Sequence, residues 1–246
     1  MNKPNLWHVA LQTVTCQVKI MEGSMPPWSL VDTIMFDMDG TLLDLHFDNY
    51  FWLTLVPKAY SQEHGVSEQT AQAILHKKYA ETHGTLNWYC LDYWEAELRL
   101  NITELKTTIK HKICSRPNVE KLLKKLQINN KRLLLITNAH PSSLAIKMKH
   151  TGIGKYFHKH ISSHTLKLAK ENHGFWKTLQ EIEPYKPERS LLFDDSLPVL
   201  RQAKREGIKY LYGIKQPDSQ KASLPPAEFP QIGDFKDIMP PRMISE

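Results

Sequence analysis

The chain has 246 residues, 41% of them hydrophobic and 24% charged, with a net charge of +6. That is enough apolar material for a buried core and an ordinary charge content for a globular protein. No run approaches the roughly 20 apolar residues that span a bilayer, no signal-peptide h-region is present, and no nucleic-acid motif occurs. Three widely spaced cysteines, Cys16, Cys90 and Cys114, argue for free thiols in a reducing compartment and against a disulfide framework or a zinc site, and the cytoplasm is the default expectation.

Residues 1–29 show neither helical nor strand period and read as an N-terminal extension, with "GSMPPWS" as a linker. The first strand is expected over 31–36 (VDTIMF), and it runs directly into Asp37-Met38-Asp39-Gly40-Thr41. Side chains at i and i+2 of a strand share a face, so Asp37 and Asp39 start out together and need a cation, a shared proton or open water to offset them. Residues 47–112 then turn helical, with helices over 49–63, 67–82, 87–99 and 103–112 and a kink or division at Pro57.

Strand–helix alternation follows: helix 117–128 opening on Pro117, strand 132–137 (RLLLIT), helix 141–151 closed by Gly152, strand 158–163, helix 172–182, strand 190–194, helix 197–206 and strand 208–214. The proline-rich tail 215–246 reads as mostly irregular. The expected fold is α/β: a doubly wound, Rossmann-like parallel sheet core (30–46 and 113–246) with an all-helical cap (47–112) inserted after the first strand.

Ligand sites of such sheets lie at the carboxyl ends of the strands. There the sequence places Asp37 and Asp39, Thr137-Asn138, and Asp194-Asp195-Ser196, with Lys167 and Lys170 between the last two. Acidic oxygens suit a hard octahedral cation, Mg²⁺, and a lysine beside it suits phosphate oxygens. The remaining lysine clusters, including Lys131 and Lys147, read as solvated helix faces that could add a positive field for an anionic substrate. The aromatic residues Phe51, Trp52, Trp88, Tyr89, Tyr93 and Trp94 read mostly as cap core, with one or two facing the cleft. The twelve histidines show no ligand spacing, and His158 and His160 fit an exposed edge strand.

"DMDGT", "ITN", "AKE" and "FDDS", in that order, resemble the four signature motifs of the haloacid-dehalogenase (HAD) superfamily of phosphohydrolases over residues 31–215. The helical insertion resembles that family's C1-type cap. "DMDGTLLDLHFDNYFW" and "TLNWYCLDYW" resemble a bacterial purine-5′-nucleotidase subgroup acting on GMP and IMP.

The resemblance implies that Asp37 is the nucleophile and Asp39 the general acid and base. It implies that Thr137, the Asn138 backbone and Lys170 hold the phosphoryl group, and that Gly40 turns the backbone aside for phosphate. It further implies that Asp37, the Asp39 carbonyl, Asp194 and Asp195 hold Mg²⁺. Two departures stand out: Ala169 occupies the position where the family usually has proline, and Leu197-Pro198-Val199 replaces a further acid. They leave Lys167 as a rival to Lys170, and leave the metal assignment between Asp194 and Asp195 open with Asp195 preferred.

The expected function is therefore Mg²⁺-dependent hydrolysis of a small phosphorylated metabolite, a purine mononucleotide first. A sugar-phosphate phosphatase or phosphomutase, and a catalytically silent binding protein, are the alternatives. A dehalogenase would have no use for Asp39.

Overall fold

Apolar runs too uniform for a half-exposed sheet pair side by side in the computed structural model, which describes residues 25–241. The strands are β1 (Thr33–Phe36), β2 (Arg132–Thr137), β3 (Lys159–Ser162), β4 (Ser190–Phe193), β5 (Tyr210–Ile214) and β6 (Gln231–Ile232). They form one parallel sheet in the order β3-β2-β1-β4-β5-β6. Alternate residues serve opposite faces. Ile34, Phe36, Leu133, Leu135, Leu191 and Phe193 pack on one side, and Met35, Leu134, Ile136 and Leu192 on the other.

The helices are α1 (His46–Tyr50), α2 (Val56–His64), α3 (Glu68–Thr82), α4 (Leu91–Leu98), α5 (Ile102–Thr108), α6 (Val119–Ile128), α7 (Pro141–Thr151), α8 (Ser163–Leu166), α9 (Phe175–Ile182) and α10 (Leu197–Arg205). The segment between β1 and α6 is helical throughout its regular elements, so the all-helical cap follows the first strand as expected. Both faces of the sheet are covered: α6 packs its Leu122, Leu123 and Leu126 on one, and α9 and α10 pack Trp176, Leu179, Leu200 and Ala203 on the other.

Four local details depart from the sequence expectation. Pro57 does not divide its helix: a π-helical stretch, Phe51–Leu55, joins α1 to α2, and Val56 N–H bonds to Phe51 O. The wider turn just before Pro57 absorbs its missing donor. Helix α6 starts two residues after Pro117, because Asn118 sits at φ 61°, outside the helical region. A short helix, α8, follows β3 directly. The tail contributes β6, held by Gly213 N–H to Pro230 O (2.7 Å) and Lys215 N–H to Ile232 O (2.9 Å), and buries Phe229, Phe235 and Ile238.

Of the N-terminal extension, residues 1–24 lie outside the described residues. Trp28 is buried and donates its indole N–H to Ile238 O at 3.1 Å, joining the two ends of the core.

Candidate active site

The register of the sheet builds the site. Phe36 pairs with Leu135 on one side and Phe193 on the other, so Asp37 emerges level with Ile136 and Asp194 at the carboxyl edge. Lys170, on the loop after α8, reaches across this edge. Its Nζ lies 2.5 Å from Asp37 Oδ1, 2.7 Å from Asp194 Oδ2 and 3.3 Å from Ile136 O. Burial opposes its charge, but Asp194 and Asp37 raise its affinity for the proton above the ordinary lysine value. Lys167, by contrast, is exposed and stands in the left-handed region at φ 56°.

The loop that carries Lys170 is tied down locally. Ala169 N–H donates to Asn172 Oδ1 (3.1 Å), and Asn172 N–H returns to Ala169 O (2.9 Å). A proline at 169 would lack the first of these donors. Lys170 N–H donates to Asn138 Oδ1 (2.9 Å), and the Asn138 amide donates to Glu171 Oε2 (2.9 Å). Asn138's side chain is therefore engaged in fixing the lysine loop. Thr137 Oγ1, also buried, accepts from Ala139 N–H at 3.0 Å. Glu171 completes the arrangement by accepting the Tyr89 hydroxyl of the cap at 2.9 Å.

Asp37, Asp194 and Asp195 each bring a carboxylate oxygen within 4.8 Å of the others. Each Asp194 oxygen already accepts one hydrogen bond, Oδ2 from Lys170 and Oδ1 from Ser196 N–H at 2.9 Å, and keeps a second lone pair. Among the described residues, no lysine or arginine pairs with the Asp195 carboxylate. Burial, then Asp37 and Asp194, push its pKa well above the usual carboxylate range. Burial likewise lifts Asp37 to about 6 against the pull of Lys170. One cation for three carboxylates leaves excess negative charge, and an all-oxygen set fits a hard divalent ion such as Mg²⁺.

Gly40 makes the sharp turn expected of it and also leaves space on its other side. It turns at φ +85°, and a Cβ there would stand 2.5 Å from Asp195 Oδ2. The missing side chain makes room for the carboxylate of Asp195.

Asp39 belongs to a second network that sequence reasoning missed. Lys147 of α7 donates to Asp39 Oδ1 (2.6 Å) and to Asp48 Oδ2 (2.6 Å), and Lys106 of α5 donates to Asp48 Oδ1 (2.8 Å). Both lysines are buried, so Lys147 is not on a solvated face. Lys131 is also buried, with its Nζ on Val31 O at 2.6 Å. Burial raises Asp39 to about 6, with Lys147 pulling down and Asp48 and Asp37 pushing up. Despite burial, Lys106 and Lys147 take Asp48 down to about 2.

Above this edge lies a cavity of about 450 Å³, lined by Asp37, Asp39, Lys170 and Asp195 below and by cap residues above. Four of the six aromatic residues singled out in the sequence, Trp52, Trp88, Tyr89 and Trp94, line it, more than the one or two expected. The three tryptophans pack edge to face with Tyr79: Trp52, Trp88 and Trp94 stand 6.0, 5.6 and 5.2 Å from its ring. His158 and His160 are exposed on and beside the edge strand β3, as expected.

Fold and site together define a capped α/β enzyme with an acidic, cation-seeking centre. The family model of haloacid dehalogenase-like hydrolases matches residues 34–212. The chain is 39% identical over 216 residues to the GMP/IMP nucleotidase YrfG of Escherichia coli (strain K12), covering 88% of this chain and 97% of that protein. It is 24% identical over 196 residues to a phosphorylated carbohydrates phosphatase of Thermotoga maritima, covering 75% and 85%. A HAD phosphatase from Thermococcus onnurineus superposes with TM-score 0.71 at 20% identity, over 84% of this chain and 95% of that one. The L-2-haloacid dehalogenase of Xanthobacter autotrophicus also shares the fold, at TM-score 0.51 and 16% identity, over 75% and 78%.

The chain belongs to the haloacid dehalogenase-like hydrolases. It is a phosphomonoester hydrolase. Among the described residues no helix is long and apolar enough to cross a membrane.

Proposed function

We propose that the protein is a cytoplasmic, Mg²⁺-dependent 5′-nucleotidase that hydrolyses purine nucleoside monophosphates such as GMP and IMP. The observation that carries this reading is the single cavity that joins the Asp37–Lys170 edge to the aromatic rings of the cap. A phosphate at the edge leaves its nucleobase among Trp52, Trp88 and Tyr89, where a flat π-system can stack. The 39% identity to a GMP/IMP nucleotidase supports the same substrate class.

Asp37, Asp195 and Asp194 are the residues that would hold Mg²⁺, together with the main-chain carbonyl of Asp39. Bound there, the ion neutralises the carboxylates and polarises the phosphoryl oxygens. In the first step a carboxylate oxygen of Asp37 attacks phosphorus. The bond to the ribose oxygen breaks, and Asp39 gives that oxygen its proton. An aspartyl-phosphate and the free nucleoside result. In the second step Asp39, now a base, takes a proton from water as it attacks phosphorus. Phosphate leaves and Asp37 is restored. Lys170 and the main-chain groups around Thr137 and Asn138 steady the phosphoryl oxygens in both steps.

The test compares kcat/KM for GMP, IMP, UMP and glucose 6-phosphate, with Mg²⁺ and after its removal by EDTA. GMP and IMP are expected to lead, and activity to vanish without Mg²⁺. Equal kcat/KM across the panel would overturn the nucleotide assignment, and full activity in EDTA would overturn the role of the metal.

A further inference from the structure

Cys90, His140 and His164 stand together at the seam between cap and core, with one donor atom of each within 4.8 Å of the others. They arrive from three separate places. Cys90 is the N-cap of α4, where its Sγ accepts Tyr93 N–H at 3.5 Å. His140 is the N-cap of α7 and lines the active-site cavity. His164 lies in α8. The two imidazole rings meet edge to face, with centroids 5.0 Å apart at 82°.

Two further observations point to a ligand. His164 Nε2 is buried and makes no hydrogen bond of ordinary geometry among the described residues, although main-chain groups of Tyr89 and Asn138 approach its ring. A polar atom in that condition costs stability unless something binds it. In addition, Asp92 Oδ2 of the cap lies 3.5 Å from His140 Nε2. With metal–nitrogen and metal–oxygen bonds of about 2.0–2.2 Å, two corners of a tetrahedral zinc site stand about 3.3–3.6 Å apart. Asp92 and His140 are already separated by one such edge, although the exposed Asp92 carboxylate is not among the donors that all lie within 4.8 Å of one another and has to swing in to join them.

We propose that Cys90, His140, His164 and Asp92 form a second metal site, for a zinc-class transition ion, that fastens the cap to the core. A thiolate and two imidazoles select such an ion over Mg²⁺, which prefers the all-oxygen centre at Asp37 and Asp195. Closing the site draws the three donors inward by about 1 Å from the 4.8 Å limit. Coordination through His140 Nε2 places that ring's proton on Nδ1 and gives up the 3.4 Å contact from Ser142 N–H. Cys90 and Asp92 belong to the cap, and His140 and His164 to the core. An ion shared among them holds the cap down over the cavity and slows the opening that releases product.

Cobalt(II) serves as the spectroscopic probe. Chelator-stripped protein, with excess Mg²⁺ present to fill the acidic centre, is titrated with Co²⁺. One equivalent is expected to produce a thiolate-to-cobalt charge-transfer band and the intense visible bands of tetrahedral cobalt. Cys90→Ser is expected to lose the charge-transfer band, and Cys114→Ser to keep it. His164→Asn is expected to weaken binding by more than the roughly 10–100-fold that loss of an outer-shell partner costs. Absence of the band in the parent protein, or its persistence in Cys90→Ser, would overturn the site. One equivalent of Zn²⁺ added with excess Mg²⁺ is expected to slow turnover of the parent and to spare Cys90→Ser. Equal slowing of both would overturn the cap-fastening role.

Discussion

Asp39 Oδ1 and Lys147 Nζ, 108 residues apart in the chain, are joined at 2.6 Å, and the same ammonium holds Asp48 Oδ2 at 2.6 Å. Asp39 thus shares its only close cation among the described residues with a second carboxylate from the first turn of the cap. Asp48 is one of the charges that raise Asp39 to about 6. Asp48→Asn removes that push and leaves Lys147 to Asp39 alone, so the affinity of Asp39 for its proton falls. A general acid works only while protonated, and its step fails as pH rises through its pKa. The descending limb of aspartyl-phosphate formation from a nucleotide is therefore expected to move to lower pH in Asp48→Asn. Single-turnover rates across pH check this, and an unmoved limb would show that Asp48 does not tune Asp39.

Gly40→Ala is expected to damage the metal centre more than the fold. The new Cβ would meet Asp195 Oδ2 at 2.5 Å, and φ +85° adds left-handed strain of about 1–2 kcal/mol. Asp195 must move, taking its carboxylate oxygens with it. Isothermal titration with Mg²⁺ is expected to show affinity reduced by about tenfold or more, alongside a modest loss in denaturant midpoint. Unchanged Mg²⁺ affinity would mean that Asp195 is not a ligand.

Lys170→Met and Lys167→Met separate the buried lysine from its exposed neighbour. The first leaves Asp37 and Asp194 without their shared ammonium and should lower kcat by about a hundredfold or more, the scale of losing an oxyanion donor. The second should behave like the parent protein. Steady-state kinetics with one nucleotide decide the matter; a crippled Lys167→Met would refute the placement.

The two aspartates of the first motif should fail in different ways. Asp37→Asn is expected to be inactive with every ester, because an amide does not attack phosphorus. Asp39→Asn should lose nucleotides, whose alkoxide must be protonated, and still release p-nitrophenolate, which leaves without a proton. Water activation stays impaired, so a phosphate adduct should build up on Asp37. Rapid-quench mass spectrometry with p-nitrophenyl phosphate detects it. Wild-type rates for both esters in Asp39→Asn would remove Asp39 from the acid/base role.

The legible part of the site consists of residues that end apolar runs. Asp37, Thr137-Asn138 and Asp194-Asp195 each follow a continuous buried strand, and a parallel sheet brings all such ends to one edge whatever lies between them. Composition and periodicity therefore sufficed for the α/β class, the helical insertion and the acidic centre. Lys170 was legible only through its place in the motif order, since nothing local distinguishes it from Lys167.

Tertiary structure decided what periodicity could not. In α7 the apolar Leu144, Ile146 and Met148 are only half-buried, while polar Ser143 and Lys147, one turn apart, form the buried face. A hydrophobic pattern points such a helix the wrong way, because the cap that covers Lys147 supplies carboxylate and aromatic partners in place of an apolar wall. Gly40 fits beside Asp195 only because β1 and β4 pair in register, and Cys90, His140 and His164 have no common spacing at all. Charges and metal donors are gathered by the docking of separate elements. The sequence carries their identities, and only the packed chain carries their distances.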